Sequence, residues 1–346
     1  MKPLKILHVT DLHFRHNGRL FYSTGKKINN GLILNGHNVL NISDRDLTSQ
    51  KKNIFDIGSR KILLKTITNN IENFKPDIIL FGHVDRINYE DFFNLKNKYN
   101  YVRFAQWFLD PLIENGPDFL KNKDRFNLKY QFCDANFITT AVDSLNFVNK
   151  EKTFFIPNPI DPSIEVYKNY QTNKEIDIFI AISHGQHRGT LKEFFTEDRV
   201  SIINRLTKKA SYNIFGYKKN PVWGQNYFSE LSKCSMGINI SRGKPIKYYS
   251  SDRIASLLGN GLLTFIHHDY QYQDFLNKNE IITYKNISDL NKKIEYFRQN
   301  KSELKRIAKN GHRKSHIIFN NKLVSEFIVK KTLGNNFNSS IKWTNV

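Results

Sequence analysis

The chain has 346 residues, of which 39% are hydrophobic and 13% aromatic, and it carries a formal net charge of +21. This apolar content excludes an intrinsically disordered protein, and the length predicts two domains because single cores rarely grow so large. The two cysteines, Cys133 and Cys234, exclude a disulfide framework and fit a reducing compartment. No apolar run reaches the roughly 18 residues that a membrane-spanning helix needs.

Strand and helix patterns alternate along the first half, which is typical of a parallel sheet with helices on both faces. The predicted strands are 4–9, 39–42, 78–81, 101–104, 135–139 and 153–156, and the predicted helices are 21–35 and 61–74. Asp44-Arg45-Asp46 has the Asp-x-Asp spacing of some divalent-ion sites, but it follows the second strand and is interpreted as a turn. Residues 1–158 are predicted to form one domain.

A segment rich in Pro, Asn, Lys and Tyr, residues 159–174, is predicted to be an interdomain linker. The same alternation then resumes over residues 175–325, which predicts a second domain. Its predicted strands are 176–182, 212–215, 236–240, 262–266 and 280–284, and its predicted helices are 200–209, 252–258, 287–297, 302–314 and 323–333.

The stretch from Ser235 to Ile266 has the most informative pattern, in the order strand, cationic loop, helix and strand. In an open parallel sheet such a loop lies at the carboxyl edge, where ligands bind. Backbone N–H groups at the start of the helix, together with Lys244, Lys247 and Arg253, favour a phosphorylated ligand.

Three motifs together resemble the CgeB-like branch of the GT-B glycosyltransferases: Asp252 to Ile266, Pro157-Asn158-Pro159-Ile160-Asp161 and Ile307-Ala308-Lys309-Asn310-Gly311. The resemblance implies an α/β protein of the GT-B fold, in which two Rossmann-like domains with parallel sheets face a central cleft. Arg253 matches the family's Arg and Gly261 its closing Gly, whereas Ser256 replaces the Glu that commonly holds the donor ribose. By the same analogy, residues 326–346 pack back on the N-terminal domain, with Trp343 as an anchor.

The resemblance assigns nucleotide-sugar binding to the second domain and the acceptor to the first. In GT-B enzymes an Arg and Lys pair after the first strand of the second domain stabilises the leaving diphosphate; a solvated basic loop is the alternative here. The residues expected to contact the donor are Arg188, Lys192, Lys247, Tyr248, Ser251, Asp252 and Arg253. Either Tyr248 or Tyr249 is expected to stack on a nucleobase, but not both, because adjacent side chains diverge. Asn239 and Arg242 are further candidates.

Candidate catalytic groups of the first domain follow the ends of its predicted strands. An inverting transferase needs a carboxylate or histidine to accept the proton of the acceptor hydroxyl. The catalytic candidates are Asp11, His13 and His83, with Asp85 and Asp110 nearby in sequence.

Two other functional classes compete with this interpretation. The run from His8 to His13 also resembles the first metal motif of calcineurin-like metallophosphoesterases, but the Gly-Asp, Asn-His and Gly-His-x-His motifs of that family are missing. A basic nucleic-acid-binding protein is motivated by charge alone, without a recognisable binding signature. The charge also fits a compositional bias toward Lys, Asn and Ile.

The sequence therefore predicts a metal-independent glycosyltransferase that needs no cofactor beyond its nucleotide-sugar substrate. We expect the acceptor to be a cell-envelope glycan or a lipid-linked sugar. We also expect a cytoplasmic protein whose positive charge suits peripheral contact with the anionic inner face of the membrane, and no nucleic-acid partner.

Overall fold

The computed structural model describes residues 2–50, 59–114, 116–182 and 198–346. The chain divides into two compact units. The first comprises the chain up to Pro159 together with Asn321–Val346, and the second is Ile160–Asn320. Each unit is built on its own parallel sheet, with helices covering it.

The first unit contains a six-stranded sheet in the order β2-β1-β3-β4-β5-β6, with every neighbouring pair parallel. Its strands are β1 (Lys5–Val9), β2 (Asn38–Ile42), β3 (Ile78–Phe81), β4 (Arg103–Phe108), β5 (Ala135–Ile138) and β6 (Thr153–Phe155). The described helices before Pro159 are α1 (Thr24–Leu34), α2 (Asp44–Gln50), α3 (Arg60–Phe74), α4 (Tyr89–Lys98) and α5 (Phe119–Tyr130). All four residues of β3 are buried, as expected for a continuous apolar strand covered on both faces.

The second unit contains a five-stranded parallel sheet in the order β11-β10-β9-β7-β8. Its strands are β7 (Ile176–Ala181), β8 (Tyr212–Phe215), β9 (Cys234–Ile238), β10 (Leu263–His267) and β11 (Ile282–Tyr284). Its described helices are α6 (Asp198–Asn204), α7 (Gly224–Ser232), α8 (Asp252–Gly259), α9 (Ile287–Gln299) and α10 (Lys301–Ile318). The chain then returns to the first unit as α11 (Asn321–Thr332).

Some elements differ from the sequence prediction. The turn predicted at Asp44-Arg45-Asp46 is wrong, because α2 begins at Asp44 and carries two carboxylates in its first turn, where the helix dipole favours them. The helices α4, α5 and α7 were not predicted. The start of α4 carries a capping box in which Asn88 and Asp91 bond each other's backbone N–H, a signal that is readable in the sequence.

Residues 160–174, predicted to be a linker, are part of the second unit. The side-chain amide of Asn169 donates to the carbonyl oxygens of Leu231 and Cys234, at 2.9 and 2.8 Å. The backbone N–H of Tyr167 donates to Asn260 Oδ1 at 3.2 Å. Side-chain hydrogen bonds, and not the backbone hydrogen bonds of a helix or strand, attach this segment to the second unit. Because it lacks a periodic apolar pattern, its composition resembles that of a linker although it is packed.

Within the first unit, α11 packs against α1. Ser325 Oγ donates to the Ile28 carbonyl at 3.0 Å, and the Asn35 side chain donates to the Lys322 carbonyl at 2.8 Å. A Cβ at Gly31 would overlap the Asn321 carbonyl and Ser325 Oγ, so the two helices approach closely there. Beyond α11, Trp343 is fully buried and its ring lies 5.2 Å from that of Phe327.

Replacing Gly31 by Ala should therefore destabilise the first unit by about 1–3 kcal/mol, because the added methyl group must push α11 away from α1. The free energy of unfolding in denaturant measures the effect. The Lys26→Ala variant, on the exposed face of the same helix, is the matched control and should change stability little. Equal stabilities of the two variants would contradict the close packing.

Candidate functional site

The second sheet has a topological switch point between β7 and β9. From β7 the chain passes to β8 on one side and then returns to β9 on the other. Open α/β sheets bind ligands in the crevice at the carboxyl ends of such strands. The side chain of Arg253, from the first turn of α8, reaches this point.

The Arg253 guanidinium joins the carboxyl ends of the two strands. Its Nε donates to the carbonyl of Ala181, the last residue of β7, at 2.9 Å. Its Nη1 donates to the Ile240 carbonyl, just after β9, at 2.9 Å, and to Asn239 Oδ1 at 3.1 Å. Burial lowers the pKa of Arg253, but a guanidinium stays protonated in proteins. A positive charge is thus fixed at the switch point.

Hydrogen bonds to its side-chain oxygen hold Asn239 in one orientation. Ser251 Oγ donates to Asn239 Oδ1 at 3.0 Å, beside the bond from Arg253. Because both partners are donors at this oxygen, the amide nitrogen must point the other way. Asn239 is only 1% exposed, and its Nδ2 has no hydrogen-bond partner in the part of the chain that the structure describes. Ser251 is the N-cap residue of α8, but its hydroxyl bonds Asn239 instead of a backbone N–H of the helix.

A cavity of about 380 Å³ opens next to Asn239, at the carboxyl ends of β9, β10 and β11. Its lining combines polar, cationic, aromatic and aliphatic groups: Ser201, Ile202, Arg205, Asn239, Ile240, Ser241, Gly243, Lys244, Pro245, His267, Tyr270 and Tyr284. The volume lies within the range of roughly 300–1,000 Å³ that is typical of small-molecule sites.

The other residues predicted to contact a donor have different surroundings. Tyr248 is buried and has a left-handed backbone conformation. Its hydroxyl donates to Asp274 at 2.7 Å, and its ring centre lies 4.6 Å from that of Phe275. Because both ends of the side chain are already in contact with the protein, stacking on a nucleobase is not favoured. Lys247 is half-buried, with its ammonium 5.0 Å from the Tyr248 ring centre. Asp252 is exposed at the start of α8. Arg188 and Lys192 lie outside the described residues.

Ser256, at the position of the expected ribose-binding Glu, is buried on α8. The Ser256 side chain contacts Tyr227. Burial raises the pKa of Tyr227 to about 12, and the contact with Ser256 opposes that rise. The closing glycine, Gly261, has φ +74°, and a Cβ there would press on the ring of Tyr170. Close packing and a left-handed backbone therefore both require glycine at this position.

The first sheet reverses direction in the same way between β1 and β3. At the carboxyl end of β1, Arg15 bonds both oxygens of Asp11 at 2.7 and 2.8 Å, and it also bonds Asp46 at 2.9 Å. Burial would raise the pKa of Asp11, but its bonds with Arg15 and the nearby charges of His13 and Arg15 bring it below its ordinary value. Asp11 is therefore a paired carboxylate, which weakens its case as a general base.

His13 lies beside this pair in a left-handed backbone conformation. Its Nδ1 is 3.2 Å from Asp11 Oδ2, and its side chain is 20% exposed. Burial lowers the pKa of His13 from its ordinary value, whereas the charge of Asp11 opposes the shift. A partly exposed, neutral imidazole beside a carboxylate has the features of a general base.

His83, two residues after the end of β3, has contacts with both a backbone N–H and an aromatic ring. Its Nε2 accepts the backbone N–H of Leu109 at 3.0 Å, and its ring stacks on Phe108 at 4.6 Å. Burial lowers its pKa to about 4. Because the Nε2 lone pair is already engaged, the geometry indicates a structural role for His83.

The sequence analysis did not identify Asp44 as a buried carboxyl group. It is fully buried at the start of α2, and neither carboxylate oxygen has a hydrogen-bond partner among the described residues. Burial and the charge of Asp11 raise its pKa to about 7, although Arg45 opposes the shift. The Asp-x-Asp spacing marked this segment, but only the fold reveals the burial.

In the described ranges, no group of three or more His, Cys, Asp or Glu side chains is arranged to hold a metal ion. No helix in these ranges combines the length and apolar content that crossing a bilayer requires. The Asp-x-His motif of Asp11 and His13 has Arg15 on both carboxylate oxygens, so a cationic side chain occupies the ligand atoms that a metal would need. The metallophosphoesterase alternative is not favoured.

A family model described as glycosyl transferase-like matches residues 190–321, less than half of the chain. No functionally characterised protein matches the chain by sequence. A glycosyltransferase from Rickettsia africae is structurally similar over 97% of this chain and 100% of its own, with a TM-score of 0.59 and 14% identity. A sucrose-phosphate synthase from Thermosynechococcus elongatus is similar over 94% and 98%, with a TM-score of 0.61 and 9% identity.

HepE from Anabaena, solved in complex with UDP, is similar over 96% of this chain and 100% of its own, with a TM-score of 0.54 and 10% identity. These similarities, with the two parallel-sheet units, confirm the predicted GT-B fold. The family match and the fold support a glycosyltransferase, an enzyme of the transferase class. Membership of the CgeB-like branch stays a prediction.

The buried carboxyl of Asp44 should make stability depend on pH. Its folded pKa of about 7 lies above the unfolded value of about 4, so the stabilising protonated form is lost as pH rises through 7. Relative to wild type, Asp44→Asn should gain roughly 2–4 kcal/mol in free energy of unfolding between pH 4 and pH 8. Asp124→Asn, at an exposed site on α5, is the control. Parallel pH profiles for wild type and Asp44→Asn would refute the assignment.

Proposed function

We propose that this protein is a glycosyltransferase that moves a sugar from a nucleotide-sugar donor, bound by the second unit, to an acceptor bound by the first. The observation that carries the proposal is the Arg253 guanidinium fixed at the β7–β9 switch point of a GT-B fold. A ligand phosphate group in this crevice would meet a cation that is already positioned, as well as the N-terminus of α8.

Fixed cations suit the chemistry of glycosyl transfer. When the bond between the sugar and the diphosphate breaks, negative charge develops on the leaving phosphate, and preorganised positive groups stabilise that charge. Arg188 and Lys192 remain our proposed contacts for this phosphate, with Lys247, Ser251 and Asp252 around it. A nucleotide-sugar donor is also supported by the relative HepE, whose structures include complexes with UDP and with UDP-glucose.

On the acceptor side we assign proton acceptance to His13, which lies beside Asp11. His13 keeps a partly exposed imidazole, whereas Asp11 is neutralised by Arg15 and His83 has its Nε2 engaged. The proposed acceptor is a cell-envelope glycan or lipid-linked sugar, and the proposed reaction needs no metal ion. Peripheral contact with the inner face of an anionic membrane is supported by the net charge of +21.

Donor binding is tested by thermal unfolding with UDP, GDP, ADP, CDP and dTDP and their sugars. A ligand that binds only the folded protein at 100 times its Kd adds about 2.7 kcal/mol of stability, so the preferred nucleotide should raise the Tm by several degrees. Arg188→Ala should abolish the response, and Lys208→Ala, which removes an exposed cation elsewhere in the second unit, should preserve it. A wild-type protein that responds to no nucleotide would contradict the proposal.

The role of His13 is tested by the rate at which the preferred nucleotide sugar is hydrolysed, with water as the acceptor. Loss of a general base lowers such rates about 10²- to 10⁴-fold, so His13→Gln should lower the release of nucleoside diphosphate by this factor without changing nucleotide affinity. His16→Gln, on the same loop, is the matched control. Undiminished release by His13→Gln would exclude His13 as the base.

A further inference from the structure

The segment that contains the first loop and α1, residues 12–43, has no aspartate or glutamate, although the chain has 32 acidic residues. Two of its cations, Arg19 and Lys26, are exposed. A third cation, Arg15, is paired with Asp11 and Asp46. The exposed surface of this segment is therefore positively charged, and no carboxylate of the segment offsets that charge.

The same segment exposes large hydrophobic side chains. Phe14 is 65% exposed, Phe21 39%, Ile33 52% and Leu34 58%. Lys26, Ile33 and Leu34 occupy positions i, i+7 and i+8 of α1, which places them on one side of the helix. Single exposed hydrophobic residues are common on protein surfaces, whereas several of them beside cations indicate an interaction surface.

Hydrogen bonds fix the backbone of the loop that carries Phe14. The backbone N–H groups of Phe14 and Arg15 donate to the carboxylate of Asp46, at 2.8 and 3.0 Å. The backbone N–H of Asn17 then donates to the Phe14 carbonyl at 3.1 Å. The ring of Phe14 is thus exposed on a hydrogen-bonded backbone, directly after His13.

The charges in the first turn of α1 oppose the helix dipole. Lys26 and Lys27 lie in this turn, and it contains no acidic residue. The positive end of the dipole favours carboxylates at these positions, so the lysines lower the stability of the helix. Helix stability therefore does not account for a lysine at position 26, whereas an anionic partner at this end of α1 does.

A second acid-free segment separates the contribution of charge from that of apolar groups. Residues 199–229 also lack Asp and Glu, and they include the exposed Lys218. The structure describes this whole range, and none of its large hydrophobic side chains is exposed. Nucleic acids attract cations alone, whereas cations beside exposed aromatic and aliphatic groups suit the interface of an anionic bilayer.

We propose that the exposed part of residues 14–34 docks on an anionic lipid bilayer. This α1 surface consists of Phe14, Arg19, Phe21, Lys26, Ile33 and Leu34. Its cations contact the lipid phosphates, and its apolar side chains enter the boundary between headgroups and acyl chains. The consequence for the acceptor rests on the proposed function: docking places His13 beside a sugar that is attached to a lipid.

The test is cosedimentation of the full chain with vesicles of phosphatidylcholine and phosphatidylglycerol in equal parts, and with phosphatidylcholine alone. Wild type should bind the mixed vesicles only, and less so as salt is raised. Arg19→Glu and Lys26→Glu should each weaken binding about 10- to 30-fold, because each reverses one charge near the surface. Lys26→Glu also places a carboxylate where the dipole favours it, so lost binding with undiminished thermal stability excludes a folding defect.

The apolar part is tested by two changes at one residue. Phe14→Ser should weaken binding to the mixed vesicles about 5- to 20-fold, because a large apolar side chain no longer enters the interface. Phe14→Trp should retain binding, and its added tryptophan emission should shift to shorter wavelength when the mixed vesicles are present. An added emission that does not shift would overturn the insertion of Phe14.

Two variants of the second unit are the matched controls. Lys218→Glu makes the same change of charge in the other acid-free segment, and Ile317→Ser removes an apolar side chain that is 61% exposed on α10. Both should bind the mixed vesicles like wild type. An equal loss of binding in Lys218→Glu and Arg19→Glu would show that overall charge alone governs binding, which would overturn the α1 surface.

The remaining outcomes separate docking from the reaction. A wild-type protein that binds no mixed vesicles, or that binds only an unrelated DNA duplex through Arg19 and Lys26, would overturn the α1 surface. The transferase would still stand if a nucleotide raised the Tm. Vesicle binding that depends on the α1 surface, in a protein that responds to no nucleotide, would overturn the transferase and leave the docking surface standing.

Discussion

The position of one guanidinium governs the candidate site of the second unit. Arg253 bonds carbonyl oxygens at the ends of β7 and β9 and the side-chain oxygen of Asn239. These three acceptors are neutral, so they fix the direction of the guanidinium without cancelling its charge. At the switch point of a parallel sheet, the connections of two neighbouring strands leave in opposite directions, which opens a crevice between them. In this protein the guanidinium of Arg253 lies in that crevice.

At the carboxyl edge of the first sheet, by contrast, the arginines are paired with carboxylates. Arg15 is shared by Asp11 and Asp46, and farther along the same sheet edge Arg125 is shared by Asp85 and Asp110. Each of these two arginines is thus paired with two carboxylates, unlike Arg253, whose acceptors are neutral. The contrast fits the proposed function, in which the second unit binds a charged donor and the first an acceptor hydroxyl.

The alternation of apolar runs and turn residues was enough to predict two parallel-sheet units and most of their strands, because buried parallel strands are almost continuously apolar. It did not give the contacts that the side chains of Arg253 and Tyr248 make within the protein, although both were predicted to contact the donor. The structure gives Arg253 protein acceptors and packs Tyr248 on Phe275. Those assignments depend on side-chain direction and on contacts far apart in sequence, which spacing does not encode.

The return of α11 to the first unit has a consequence for biosynthesis. The face of α1 around Gly31 receives Asn321 and Ser325, which the ribosome adds only after the entire second unit. Until then this surface of the nascent N-terminal segment is uncovered. Folding of the first unit therefore cannot finish in the order in which its residues are translated, and the second unit has all its residues available earlier.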